Sequence, residues 1–582
     1  MAEPVSDIKP HWKWITESIH LMLFLGGSVN GPVCVLIQGA GFWAREVGQL
    51  IGFEHPTIPV HHQYVVTATV PEVKALKTEL PVIRDLEGFG KELFESDLDR
   101  IMDHVEMAME MVPVLKIADI INIVSGPITY TPDLLPMVGP HQGARNYWTA
   151  IGFGYGVIHA GGIGKFLSDW IVTGEPPYDL IECDPNRTSG VYELLKGKAS
   201  MGFHAGWEQP HWFYKPGDDA GYKPSFRRTN WFGPVGRECK LVMEKVGVVD
   251  LTPFGKFMVK GKDSQKLLDR LFANTMPKVG LTNISHMLTP TGRVYAEVTI
   301  TQLTPGEFLL ITGSGSELHD LRWIEKEAAE GAYDVDISNV TEDIGVLGVA
   351  GPKARDVLQK LTQEDMSDAS FKFLHCKPIQ LAGINLRAIR ISYTGELGWE
   401  LYIPQKDIAA VYQAIMAAGE DEGIDNFGTY AMSSLRLEKG FRGWGAEMNC
   451  DTNPLEAGLD YFIKLNKPAD FIGKAALQEI KAKGLKRKLS YITMDTDDVD
   501  PEGNETIWLN GKVVGNTTSG AYSYTTQQSL AFAYLPVELC SVGQKVEVEM
   551  LGRKYPAMVV QEPLVLTEPT RTRLQKKAKS KA

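Results

Sequence analysis

The sequence predicts a multidomain chain of α/β and α+β type with an all-β C-terminal end. Its 582 residues exceed what a single hydrophobic core supports. Strand-like and helix-like patterns alternate from about 33 to 475. From about 480 onward short strands are punctuated by turn sequences at hairpin spacing, DPEGN (500–504), LNGK (509–512) and EMLGRK (549–554).

Composition narrows the function classes. Apolar residues make up 44% and charged residues 23%, the balance of a soluble globular protein. A net charge of −13 argues against nucleic acid, because phosphate binding needs a concentrated excess of Lys and Arg. The basic run after Pro569, RTRLQKKAKSKA, reads as a solvated terminus. Six scattered cysteines without CxxC spacing fit free thiols in a reducing compartment, neither a disulfide framework nor a zinc site. His286 and His319 lack ligand spacing and read as hydrogen-bonded structural residues, so no metal is expected. The apolar stretch 19–41 contains Gly26-Gly27, Asn30 and Pro32, which would break a spanning helix; a buried strand reaching a glycine turn fits better. Glu3 and Asp7 and the lack of nearby arginines do not make a mitochondrial presequence.

In the N-terminal part, GAGFWA (39–44) follows a buried strand, and its glycines would let the main chain approach a ligand; alone it equally fits an ordinary strand-to-helix turn. TPDLLPMVGP (131–140) is a proline-rich loop with apolar anchors. GFGYGVIHAGG (152–162) opens a helix whose N–H groups suit an anion or an electron-rich ring carbonyl. The three in this order resemble the glycine-oxidase and sarcosine-oxidase type of FAD-dependent amine oxidoreductase. The resemblance implies FAD contacts at Trp43, Phe153, Gly154, Tyr155, Gly156, Val157 and Ile158. The GxGxxG motif that holds the ADP part of FAD is absent, as is the histidine that bonds the flavin covalently in the dimethylglycine and sarcosine dehydrogenases. The half is therefore expected to be a remnant that lacks its pyrophosphate anchor, with an open strand edge near Val33–Ile37.

Beyond about 245, ISYTGELGWELYIP (391–404) sets Tyr393, Glu396, Trp399, Glu400 and Tyr402 around one bend. It resembles the folate-binding signature of the glycine-cleavage T-protein nearly letter for letter. NISHMLTPTGRVYAEVTI (283–300), FGTYAMSSLRLEKGFRGWGAEMN (427–449) and NPLEAGLDYFIKLNKPADFIGK (453–474) resemble further T-protein segments in the same order. A pterin needs a carboxylate for its amine and ring nitrogen, together with packing aromatics. The resemblance implies Glu400 for the first role, beside Leu401, and Tyr393, Tyr402 and Tyr461 for packing. It implies Glu297 as the carboxylate near the reacting nitrogen, where T-proteins usually have Asp, with Val298 and Thr299 completing the tetrahydrofolate contacts.

Taken together, the chain resembles the folate-linked dimethylglycine and sarcosine dehydrogenases, the dimethylglycine branch more than the other. The expected domains are a partial FAD-dependent oxidoreductase domain (1–185), an aromatic-rich connector (186–245), an aminomethyltransferase-like folate-binding domain (246–475), a C-terminal β-barrel (476–567) and the basic tail (568–582). The resemblance implies oxidative demethylation of dimethylglycine with carbon transfer to tetrahydrofolate. It further implies FAD as cofactor, electron-transfer flavoprotein as partner, the mitochondrial matrix as location and no membrane span. Two alternatives stay open: a folate-binding fragment without dehydrogenase activity, and a sarcosine dehydrogenase.

Overall fold

The computed structural model describes, before residue 187, the stretches 36–38, 44–50, 57–67, 120–131, 135–141, 147–153 and 156–173 with positions 55, 102, 105, 106, 109, 116, 180 and 183; after it, residues 187–571 except 222 and 224. They fall into two compact units, one within Met1–Arg187 and Phe203–Trp207, the other within Thr188–Gly202 and Glu208–Ala582. No described helix is long and apolar enough to cross a membrane.

In the first unit the strand Tyr147–Ile151 pairs in parallel with Leu36–Gln38 and antiparallel with Met137–Pro140. Among the described residues Leu36–Gln38 is an edge strand. A separate two-stranded antiparallel sheet pairs Ile58–Thr67 with Ile120–Tyr130. The chain leaves Tyr147–Ile151 through Gly152, at φ +79, and enters the helix Gly156–Thr173. Leu167 and Trp170, one helical turn apart, bury themselves with Val138 and Leu180, and Trp148 meets Trp170 edge-on at 5.6 Å.

The second unit holds two antiparallel-rich sheets and a barrel. One sheet runs Thr282–Leu288, Val294–Thr304, Glu307–Thr312, Gly255–Lys260, Asp336–Asn339. The other runs Cys376–Leu381, Ile384–Ile389, Gly398–Pro404, Ile344–Ala350, Gly247–Asp250, Asp425–Asn426, the last pair parallel. The aromatic-rich stretch supplies the helix Phe232–Glu244, whose Val235, Cys239 and Val242 lie in the core behind the second sheet. Six strands from Arg487 to Val559 close into a barrel, so no edge is left unpaired there. Two of the three expected turns close hairpins: Asn510 and Gly511 take positive φ between paired Leu509 and Lys512, and Leu551 and Gly552 do so between paired Met550 and Arg553, the twist-matched two-residue turn. DPEGN (500–504) instead links Arg487–Met494 to Thr506–Leu509, strands that pair with others.

One buried cation ties the first sheet's helix to the chain's later turn. Lys467 donates to the carbonyls of Asp269 (2.7 Å), Phe272 (2.7 Å) and Asn274 (3.1 Å), at the C-terminal end of the helix Ser264–Leu271. A cation there meets the negative end of the helix dipole and satisfies carbonyls that the helix leaves orphaned. Lys467→Met keeps the stem but strands those oxygens. Its expected cost is about 3 kcal/mol, read as a lower denaturation midpoint of the second unit's fluorescence transition.

Candidate functional site

The strand Val294–Thr304 alternates, as a strand with one buried face must. Ala296, Val298 and Ile300 enter the core, while Tyr295, Glu297 and Thr299 face the other way. Of the carried-over run, Val298 thus contributes core packing with its side chain, and Glu297 and Thr299 look outward. The neighbouring strand Thr282–Leu288 pairs His286 with Glu297. His286 is fully buried, and its Nε2 lies 3.2 Å from Glu297 Oε2.

The turn 391–397 is built around Gly395, at φ +69, where an added Cβ would press on the Lys439 side chain at 2.7 Å. Tyr393 donates its hydroxyl to the Arg442 carbonyl at 2.6 Å and stacks on Phe441. Burial pushes the Tyr393 hydroxyl well up; Arg436 opposes this, while Glu297 and Glu447 add to it. Glu297, Tyr393, Arg436 and Glu447 therefore share one electrostatic neighbourhood. Along Gly398–Pro404, Trp399, Leu401 and Ile403 pack into one core and Glu400 and Tyr402 take the opposite face, where Tyr402 is itself buried in a second core. Leu401, expected from the resemblance to touch the folate, has a fully buried side chain, and its strand is paired on both sides, with Leu347 and with Ala388.

Three glutamates of this region differ in what neutralises them. Glu396 pairs with Lys439 at 2.7 Å, both fully buried, and also with Arg571. Glu447 pairs with Arg436 at 2.7 Å and accepts from the Gly443 amide (2.8 Å) and Thr518 (3.0 Å). Glu400 has no cation; among the described residues its hydrogen-bond partner is the Tyr402 hydroxyl, at 2.7 Å. Burial pushes the Glu400 carboxyl up to about 7, against the pull of Tyr402. A carboxylate so short of donors fits a ligand presenting an amine and a ring N–H, which is the edge a pterin offers.

Tyr461 stands apart from this packing: it is 78% exposed, with Lys464 4.6 Å over its ring. Beside it lies a cavity of about 580 Å³, lined by Thr275, Asp460, Lys464, Asn466, Gln478 and Lys481, none of them a carried-over position. In the first unit Trp43, Gly154 and Tyr155 lie outside the described residues. Phe153 is half-buried with its ring 6.4 Å from His159, and Gly156, Val157 and Ile158 open the helix Gly156–Thr173. Any Cβ at Gly152 would meet Thr131 Cγ2 at 2.4 Å, so the proline-rich loop beginning at Thr131 packs directly on the glycine turn. His55 and Tyr147 join at 3.0 Å there, and burial lowers the His55 imidazole to about 4.

Sequence reasoning missed the partnerships of Arg436, Glu447 and His286. His286 looked isolated because its partner depends on strand register. A bulge between Met287 and Leu288 shifts the pairing by one residue, and without it His286 would face Ala296.

The turn's anchor is testable. Lys439→Met leaves Glu396 buried with Arg571 alone, and is expected to cost about 2–4 kcal/mol; chemical denaturation showing an unchanged midpoint would remove the pair from the list of supports.

Profiles of three families match the chain: FAD dependent oxidoreductase over 25–170, the GCVT N-terminal domain over 192–467, and the glycine cleavage T-protein C-terminal barrel domain over 487–565. Human mitochondrial dimethylglycine dehydrogenase is 65% identical, over 93% of this chain and 71% of that protein. Mouse mitochondrial sarcosine dehydrogenase is 30% identical, over 92% and 70%. The crystal structure of aminomethyltransferase T from Bartonella henselae superposes with a TM-score of 0.57 at 24% identity, covering 66% of this chain and 98% of that one, a likeness of fold. With an oxidoreductase part, a T-protein part and its barrel in one chain, and identity to the dimethylglycine enzyme about twice that to the sarcosine enzyme, the chain belongs to the dimethylglycine dehydrogenase family.

Proposed function

We propose that this enzyme demethylates dimethylglycine to sarcosine oxidatively and passes the carbon to tetrahydrofolate. FAD, when bound, would supply the acceptor for a hydride from an N-methyl group, and tetrahydrofolate the acceptor for the one-carbon unit, as its 5,10-methylene form. Electrons leave to electron-transfer flavoprotein in the mitochondrial matrix, in keeping with relatives named mitochondrial.

The observation that carries the reading is Glu400, a half-buried carboxylate paired with a phenol and no cation. It holds the pterin edge. Tyr393 and Tyr402 wall the ring, Tyr393 fixed by its bond to Arg442. Glu297 keeps one oxygen on His286 and has the other to take a proton from the folate nitrogen as that nitrogen attacks carbon. On the flavin side, Gly152 and Gly156 carry no side chain where the helix Gly156–Thr173 opens, and its first-turn N–H groups suit a ring carbonyl. The exposed Tyr461 borders the outer end of the folate.

Glu400→Gln is expected to weaken tetrahydrofolate binding by about 2–3 kcal/mol, measured by calorimetry. The ligand needs the carboxylate, so wild-type affinity should fall as pH drops through about 7, while the variant stays flat. In the unliganded protein the sign reverses: the raised group costs stability as pH climbs from the usual carboxylate range to about 7. A pH-independent wild-type affinity, or an unaltered affinity in the variant, removes Glu400 from the pterin site.

Glu297→Gln retains shape but cannot accept the proton. In the flavin-loaded enzyme the expected result is near-normal folate affinity with formaldehyde released in place of methylene-tetrahydrofolate. An unchanged yield of methylene-tetrahydrofolate assigns the proton to another group.

A further inference from the structure

We propose that His286 is the positioning residue for Glu297, holding its Oε2 so that Oε1 alone meets the proton. This rests on the reading of Glu297 as the proton acceptor and adds how its geometry is set. The pair is asymmetric: His286 is fully buried, whereas the Glu297 side chain is 29% exposed, so one end is anchored and the other is presented. Directly opposed strand residues share a face, and the bulge at Met287–Leu288 brings these two into opposition.

The proton can be placed. Among the described residues His286 Nδ1 is buried and has no hydrogen-bond partner, so a proton there would be an unsatisfied buried N–H. The proton belongs on Nε2, which donates to Glu297 Oε2 at 3.2 Å. Phe462 closes the imidazole from the side, ring centres 5.8 Å apart. With no acceptor at Nδ1 among the described residues, the ring's part is to orient the carboxylate.

The need for such a residue follows from side-chain length. A glutamate has one more rotatable bond than the aspartate of the T-protein pattern, and fixing that bond costs rotamer entropy. The other groups coupled electrostatically to the carboxylate are Tyr393 and the Arg436–Glu447 pair. The hydrogen bonds they make among the described residues go elsewhere, Tyr393 to the Arg442 carbonyl and Arg436 to the Phe441 carbonyl, Glu447 and Ser519. His286 is the donor committed to Glu297 among the described residues.

The test uses the flavin-loaded enzyme with dimethylglycine and tetrahydrofolate. It reads folate affinity, kcat and KM for dimethylglycine, and the partition of carbon between formaldehyde and methylene-tetrahydrofolate. His286→Leu fills the space without a donor; His286→Gln restores an N–H. The expected result is unchanged folate affinity, unchanged KM, a partition toward methylene-tetrahydrofolate reduced about ten- to hundredfold in His286→Leu, and recovery in His286→Gln. The double variant His286→Leu with Glu297→Gln should be no worse than Glu297→Gln alone. A wild-type partition in His286→Leu, or equal loss in the Leu and Gln variants, overturns the proposal. Should His286→Leu fail to fold, nitrogen NMR of the wild-type imidazole decides: the Nε2–H tautomer, with a resonance that moves in Glu297→Gln, supports it, and the Nδ1–H tautomer overturns it. If Glu297→Gln leaves the partition unchanged, the reading of Glu297 has failed; if Glu297→Gln abolishes transfer while His286→Leu does not, the His286 inference alone has failed.

Discussion

The second unit depends on the buried charges at the end of the helix Thr429–Glu438. Arg436 leaves the helix toward Glu447 and so shapes the Arg442–Gly445 loop. Glu438 accepts from Ser523 (2.7 Å) and from the Thr525 amide (3.0 Å) and hydroxyl (2.8 Å), which are barrel residues. Lys439 reaches Glu396 in the turn that precedes Glu400. Between them, Leu435 and Leu437 point into two different cores. A charge cannot stay buried without a partner, since its desolvation cost far exceeds any packing gain. One short helix therefore holds the folate-side turn, the loop beneath Tyr393 and the barrel in a single arrangement.

That arrangement leaves Glu400 without the cations that hold Glu396 and Glu447. Glu396 and Glu447 are satisfied by cations and amides, and Glu238 by the amides of Phe213 (2.6 Å) and Gly428 (2.9 Å). Glu238 is nonetheless pushed up to about 8, because burial outweighs two backbone bonds. Among the described residues Glu400 has neither cation nor amide, and it lies on the strand face it shares with Tyr402, beside a second core. Under the proposed function, the donors that Glu400 lacks come from the ligand, a flat donor-edged ring.

Glu297 shows the same economy at the other carboxylate. Its strand is held by core residues on alternate positions, its own side chain faces outward, and one buried imidazole sets its direction. The second unit has a dense set of such pairings, and the first unit's described residues show a smaller one, centred on Gly152 against Thr131 and on His55 with Tyr147.

Much of this was legible in the chain alone. Periodicity marked the alternating strands at 294–304 and 398–404, and turn chemistry marked the barrel hairpins, because side-chain alternation and positive-φ requirements are local properties. The resemblance pointed to Glu297, Glu400, Tyr393 and Tyr402, while the alternation that turns Val298 and Leu401 inward was available from period two. What only the tertiary structure decided are the partnerships: Lys439 with Glu396, Arg436 with Glu447, Lys467 with the end of a helix some two hundred residues earlier, and His286 with Glu297. The physical reason is the same in each case. A partner distant in sequence is fixed by packing and by strand register, and a single bulge, invisible in composition or spacing, moves His286 from an alanine to the carboxylate.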